Sequence, residues 1–318
     1  MKNHPDLFYA KILLFGEYSV LLNSMGLSIP YAHFKGELTF IDEDKYTDRN
    51  FARRSNEELK KYFEFLDSNS EFGSIINLRQ FNQDIQNGLY FESSIPESYG
   101  LGSSGALCAA IYKRYVSNSD LSGDIDDKKI LRIKEYLSKL ESGFHGRSSG
   151  LDPLNSYLKS PLLIHNQGKI EMVQLPGEKF GSESAIFLID TKQIGNTAPL
   201  VQNFLENCKN KEYEKLICET LIPLNNSCIT DLIAGRLDSF FNHLTHLSLF
   251  QIKYFKSLIP ESYLKLWQEG LDSDKYCLKL CGSGGGGFLL GFTKNFCEVK
   301  SILQQKNIEP IPVFQKRT

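Results

Sequence analysis

The chain has 318 residues, 41% of them hydrophobic and 12% aromatic, which is enough to bury a core in one large domain or two smaller ones. Thirty-six Lys and Arg against 38 Asp and Glu leave a net charge of −2, so bulk electrostatics recruits neither nucleic acid nor an anionic membrane, and a largely disordered chain is excluded. Seven cysteines, an odd number with no CxxC pair, argue against a disulfide framework or a structural zinc and for a reducing, cytoplasmic setting. No apolar run approaches the roughly 18 residues that span a membrane. The N-terminal MKNHPDLFYAKILLFGEY is broken by Lys11 and by Gly16-Glu17 and does not read as a signal peptide.

In chain order, FYAKILLF predicts a strand ending at Gly16, and ELTFI at 37–41 a second. The charged stretch 44–70 contains SNEELKKYFEFL, a helix with Ser55 as N-cap and Glu58 closing a capping box. LYFES at 89–93 is a strand, and PESYGLGSSGALCAAIYKRYV is a Gly/Ser turn opening an Ala-rich helix. Residues 117–127 read as a polar loop. Ile130, Ile133, Tyr136, Leu137 and Leu140 recur at helical spacing and predict a helix stopping near Gly143. SSGLDPLNSYL is a second turn into a helix. SPLLIH and KIEMVQL are strand-like about a turn, AIFLID at 185–190 is a buried strand, and 198–269 is mostly helical. YCLKLCGSGGGGFLLGF is strand, glycine turn, strand. A domain boundary near 180 divides the chain into 1–180 and 181–318.

The turn Gly100-Leu101-Gly102-Ser103-Ser104-Gly105 is the strongest signal. Its backbone N–H groups crowd a helix N-terminus, where unpaired amides and the helix dipole favour an anion. The plain alternative is a helix cap with small residues for close packing. The same residues fit GxGxxG, but a dinucleotide turn follows a buried strand directly and leads to a second strand ending in an acid, whereas Pro96-Glu97-Ser98 precedes here and a polar loop follows. A second match at 282–287 runs into FLLGF, a strand and not a helix. GRSSG at 146–150 fits GxSxG with Ser148 as nucleophile and His243 or His246 downstream, but a charged helix stands where that elbow needs a strand. GxxxxGK[ST], HRD, DFG and HExxH are absent. Three further residues admit two readings each. Lys11 is a snorkelling edge-strand lysine or a buried reactive cation. Asp152 is an N-cap before Pro153 or a catalytic acid. Glu141 lies on a solvated helix face beside a lysine or serves chemistry.

Taken together and in order, KILLFGEYSV, PESYGLGSSGAL, HGRSSGLDP and KLCGSGGGGFLL resemble the motifs of the GHMP small-molecule kinases over about residues 8–292. Within that family the motifs look most like those of the mevalonate kinases. The first motif there reads Lys, an apolar run and Gly-Glu-His; here Tyr18 replaces the histidine, as in many phosphomevalonate kinases. The second, PxGxGLGSSAA, is altered at Ser98, Tyr99 and Gly105. HGxxSGxDN ends in Pro153 instead of Asn, TKQIGNTAPLV resembles TKxxxNTxxLV, and the third motif is GSGGGG where GAGxGG is usual.

The resemblance implies a two-domain α+β fold, with an N-terminal part like the second domain of ribosomal protein S5, a ferredoxin-like C-terminal part and the active site in the cleft between them. It implies phosphoryl transfer from ATP to a small-molecule primary alcohol, most like mevalonate in isoprenoid precursor synthesis. Phosphomevalonate or another sugar or alcohol is the alternative acceptor. It further implies that Gly100, Leu101, Gly102, Ser103 and Ser104 cradle the ATP phosphates and that Ser104 and Glu141 hold Mg2+. Asp152 is then the general base with Lys11 beside it, and Glu17, Tyr18, Thr197, Gly282, Ser283 and Gly284 lie on the substrate side. The expected partner is a small molecule, with neither nucleic acid nor membrane, and a homodimer is allowed. A non-catalytic binding protein of the same fold is opposed by the joint presence of Lys11, Ser104, Glu141 and Asp152. A nicotinamide oxidoreductase is the weakest alternative.

Overall fold

The computed structural model describes residues 6–41, 48–116, 125–176 and 183–315. Its residues fall into two units whose segments interleave along the chain. The first takes in the chain up to Lys11, Pro30–Glu97 and Leu101–Ser160; the second takes in Ile12–Ile29, Ser98–Gly100 and the chain from Pro161 onward. The boundary expected near residue 180 lies outside the described residues, as does most of the loop expected at 117–127.

The first unit contains the start of β1 (Phe8–Phe15), the outer part of β2 (Gly26–Phe40), β3 (Leu89–Ser93) and five helices, α1 (Arg49–Asp67), α2 (Leu78–Gln86), α3 (Ser103–Tyr115), α4 (Asp127–His145) and α5 (Leu151–Leu158). β3 runs antiparallel to β2, from Gly36↔Ser93 to Phe40↔Leu89. β2 is far longer than the expected 37–41. Pro30 masks it in the sequence, yet the strand runs on through that proline, which falls outside the stretches of β2 paired with β3 and β4. Helix α1 also starts earlier than Ser55. Asp48 is the N-cap, its carboxylate accepting from the backbone N of Asn50 and Phe51 at 3.0 and 2.9 Å. Ser55 lies inside the helix, where its hydroxyl donates to the carbonyl of Phe91 at 3.1 Å and accepts from that residue's N–H at 3.0 Å, fastening α1 to β3.

Helix α4 is capped by Asp126, which accepts from Lys129 N at 2.8 Å, and runs through Gly143 to a C-cap at Gly146 with φ +73°. Gly143 is thus no stop. A Cβ there would stand 2.7 Å from the Phe65 ring of α1, so the glycine admits a close aromatic contact. Helix α5 starts from Gly150, at φ +71°, and not from Asp152. A Cβ on Gly150 would meet the Lys134 carbonyl at 2.5 Å and Ser138 Cβ at 2.9 Å. The α3–α5 packing is equally tight, since a Cβ on Gly105 would stand 2.8 Å from Pro153 N.

In the second unit, Gly26–Ser28 of β2 pairs with β4 (Leu162–Ile164), which pairs with β5 (Ile170–Met172). The rest follows a β-α-β-β-α-β path. It consists of β6 (Ala185–Asp190), helices α6 (Thr197–Asn207), α7 (Lys211–Leu216), α8 (Ile222–Ala234), α9 (Leu237–Tyr254) and α10 (Glu261–Ser273), β7 (Cys277–Leu280), β8 (Phe288–Thr293), α11 (Phe296–Gln304) and β9 (Ile311–Gln315). The antiparallel strand order β7-β8-β6-β9 is the ferredoxin-like arrangement. Ala185 through Ile189 are buried, and Phe15 packs on Phe240 and Phe292 behind the sheet. No helix among the described residues is long and apolar enough to cross a membrane.

Because Gly150 combines a left-handed φ with contacts that leave no room for a side chain, Gly150→Ala is expected to lower unfolding stability by about 2 kcal/mol or more. Urea unfolding followed by circular dichroism measures this.

Candidate active site

In the first unit, Lys11 does not snorkel. It is 8% exposed, and its Nζ lies 3.1 Å from Oδ2 of Asp152. Its backbone N–H donates to the Leu101 carbonyl at 2.9 Å, fixing the glycine turn against β1. Gly102 enters α3 at φ +74°, and a Cβ there would stand 3.0 Å from Lys11 Cγ and 3.4 Å from Asp152 Oδ2. Only glycine brings the turn this close to the ion pair. Gly102, the N-cap of α3, has no side chain with which to cap the helix, and a helix N-terminus is where amides and dipole favour an anion. Asp152, released from capping, presents a half-buried carboxylate at the start of α5.

Glu141 is not on a solvated face. It is 6% exposed, and both carboxylate oxygens accept hydrogen bonds, Oε1 from Ser104 Oγ at 3.3 Å and Oε2 from Ser148 Oγ. Burial, reinforced by the Asp152 charge, pushes its carboxyl up to about 7; the two hydroxyls and Lys11 pull the other way. Among the described residues no group of three or more His, Cys, Asp and Glu gathers to hold a metal by itself. One carboxylate with a neighbouring hydroxyl suits a hard cation that keeps water and takes further oxygens from a bound phosphate.

In the second unit, Glu17 is closed in a buried ion pair with Lys279, whose Nζ lies 2.5 Å from Oε1, donates to the Leu280 carbonyl at 2.7 Å and stands 5.3 Å from the Phe15 ring centre. Tyr18 adopts φ +63°, and its hydroxyl donates to the Ser283 carbonyl at 2.5 Å. Its ring packs on Phe204 and Phe255, and burial together with the Glu17 charge raises its phenol well above the usual range. Thr197, exposed at the start of α6, places Oγ1 2.9 Å from Ser283 Oγ. Gly282 and Gly284 are left-handed, and a Cβ on Gly284 would stand 2.5 Å from the Leu258 carbonyl. The structure therefore gathers Lys11, Gly102, Ser104, Glu141 and Asp152 in one unit, and Tyr18, Thr197 and Ser283 in the other.

Two participants escaped sequence reasoning. Lys279 carried the same signal as Lys11, a lysine inside an apolar strand. Ser148 was weighed only as a nucleophile. It lies between α4 and α5 with no strand before it, and its hydroxyl donates to Glu141. His243 contacts Asp231 at 2.8 Å and His246 the Asn242 carbonyl at 2.9 Å, both within the second unit, whereas Ser148 belongs to the first.

The Glu141 carboxyl titrates near 4.5 when unfolded and near 7 when folded, so the folded state binds its proton more tightly. That contribution to stability is complete below about 4.5 and is lost as pH rises through about 7. Glu141→Gln is therefore expected to gain about 1–3 kcal/mol relative to the wild type between pH 5 and pH 8, read from urea midpoints at both values.

Residues 66–159, which carry the glycine turn, Glu141 and Asp152, match the GHMP kinases N terminal domain. No curated protein matches the chain in sequence. Among solved structures, mevalonate kinase from L. major in complex with R-mevalonate is 14% identical, with 100% of this chain and 98% of that one covered, at a TM-score of 0.66. Mevalonate kinase from Methanococcus jannaschii is 16% identical over 100% of both chains, at a TM-score of 0.63. Phosphomevalonate kinase from Streptococcus pneumoniae, in complex with phosphomevalonate and AMPPNP, is 14% identical over 96% of this chain and 99% of that one, at a TM-score of 0.61. Residues 66–159 are thus similar to a GHMP kinases N terminal domain, and the chain as a whole has the α+β fold seen in solved mevalonate and phosphomevalonate kinases.

Proposed function

We propose that the protein transfers the γ-phosphoryl group of ATP to a primary alcohol, with mevalonate as the acceptor. The observation that carries this reading is the Lys11–Asp152 ion pair lying against Gly102 at the uncapped start of α3. Phosphoryl transfer asks the protein chiefly to position reactants and stabilise charge. The amides of residues 100–104 cradle the nucleotide phosphates. Ser104 and Glu141 hold Mg2+, which when bound neutralises phosphate charge. Asp152 accepts the alcohol proton. Lys11 Nζ, 3.1 Å from that carboxylate, counters the charge that develops on the acceptor oxygen.

Glu17, Tyr18, Thr197, Gly282, Ser283 and Gly284 form the substrate side. Tyr18 stands where mevalonate kinases carry histidine and so favours phosphomevalonate as a second reading. Its hydroxyl, however, is engaged with the Ser283 carbonyl, and Lys279 is closed by Glu17. HGRSSGLDP and TKQIGNTAPLV, which resemble the mevalonate-kinase motifs, support the unphosphorylated alcohol.

ADP release with ATP and Mg2+ across mevalonate, phosphomevalonate, homoserine and galactose tests the reading. Turnover is expected on mevalonate, falling about 10²–10⁴-fold in Asp152→Asn while ATP binding is kept. Turnover on phosphomevalonate alone would reassign the acceptor. Silence on all four, or an undiminished rate in the variant, would overturn the assignment.

A further inference from the structure

Ser148 occupies a position that the pattern HGxxSGxDN leaves open, and the proposed chemistry has no use for it. Its surroundings are nevertheless specific. Its hydroxyl donates to Oε2 of Glu141 and accepts from the backbone N–H of Gly150 at 2.9 Å. Its carbonyl accepts from Ser138 Oγ, on α4, at 2.6 Å. The Gly150 amide can only donate, so with Glu141 ionised the single hydroxyl proton of Ser148 is left for the carboxylate.

These bonds join Glu141 on α4 to Gly150, the residue from which α5 starts, and Asp152 follows two residues later. The other oxygen, Oε1, accepts from Ser104. A carboxylate that serves a cation is aimed by what holds its remaining oxygen, and losing such a partner typically weakens metal binding 10–100-fold.

We infer that Ser148 is a positioning residue that holds the Glu141 carboxylate against the start of α5, aiming Oε1 at the cation and setting the spacing between Glu141 and Asp152. The inference rests on the reading of Glu141 as a Mg2+ carboxylate. It departs from the nucleophile reading of GxSxG, because a helix and not a strand precedes the turn that carries Ser148.

The test is calorimetric titration of the full chain with AMPPNP, with and without Mg2+, in the wild type, Ser148→Ala and Ser148→Thr. Alanine removes both hydroxyl bonds, whereas threonine keeps the hydroxyl. The expected result is about tenfold weaker AMPPNP binding by Ser148→Ala when Mg2+ is present, unchanged binding when it is absent, and recovery in Ser148→Thr. Wild-type affinity in Ser148→Ala with Mg2+ would overturn the inference. So would an equal loss with and without Mg2+, which marks a merely structural residue. Wild-type binding of AMPPNP that ignores Mg2+ would remove the reading of Glu141 itself, and the inference with it. Should Ser148→Ala not fold, Ser148→Cys, which keeps the volume with a weak donor, is read the same way.

Discussion

Two carboxylates and one ammonium brought together in a largely buried cluster are the constraint on which the first unit depends. Lys11 answers Asp152 directly, and Glu141 receives two hydroxyls in place of a cation. Desolvation outweighs those bonds, which is why its carboxyl rises to about 7. A chain selected for stability alone would replace such a group with an apolar one. A ligand that brings positive charge to this cluster would offset that cost. The glycines follow from the same constraint. Gly102, Gly105 and Gly150 each remove a Cβ that would otherwise hold β1, α3, α4 and α5 too far apart for these side chains to meet.

The second unit handles charge in the opposite way. Glu17 and Lys279 close on each other, with a carbonyl and the Phe15 ring beside the ammonium. Thr197 and Ser283 set their hydroxyls against each other, on a glycine loop whose backbone Tyr18 holds through the Ser283 carbonyl. Tyr18 and Ser283 are both departures from the family pattern, and they touch each other.

Much of this was legible before any coordinates. The glycine turn into α3 and the strands β1, β3, β6, β7 and β8 follow from periodicity and turn chemistry, and the ordered motifs from the family resemblance. The failures have local causes. Ser55 and Glu58 satisfy a capping box that any helix surface can satisfy by chance, while the true cap, Asp48, sits in a charged run with no apolar period to mark it. Pro30 hid a strand it does not disrupt, and Gly143 looked like a stop because its aromatic neighbour comes from a distant helix. β9 was not foreseen. The role of Glu141 was invisible in isolation, because a glutamate near the end of a charged helix is ordinarily solvated, and only the return of the chain through Ser148 and α5 buries it.

The account stands or falls on where the terminal phosphoryl group of ATP goes, and phosphorus NMR of the protein with ATP, Mg2+ and mevalonate follows that group directly. The expected result is conversion of the γ-phosphorus signal into a single phosphomonoester resonance split by the two protons of a primary carbinol, in step with ADP and without inorganic phosphate. Accumulation of inorganic phosphate, or a γ-signal that persists unchanged, would contradict it.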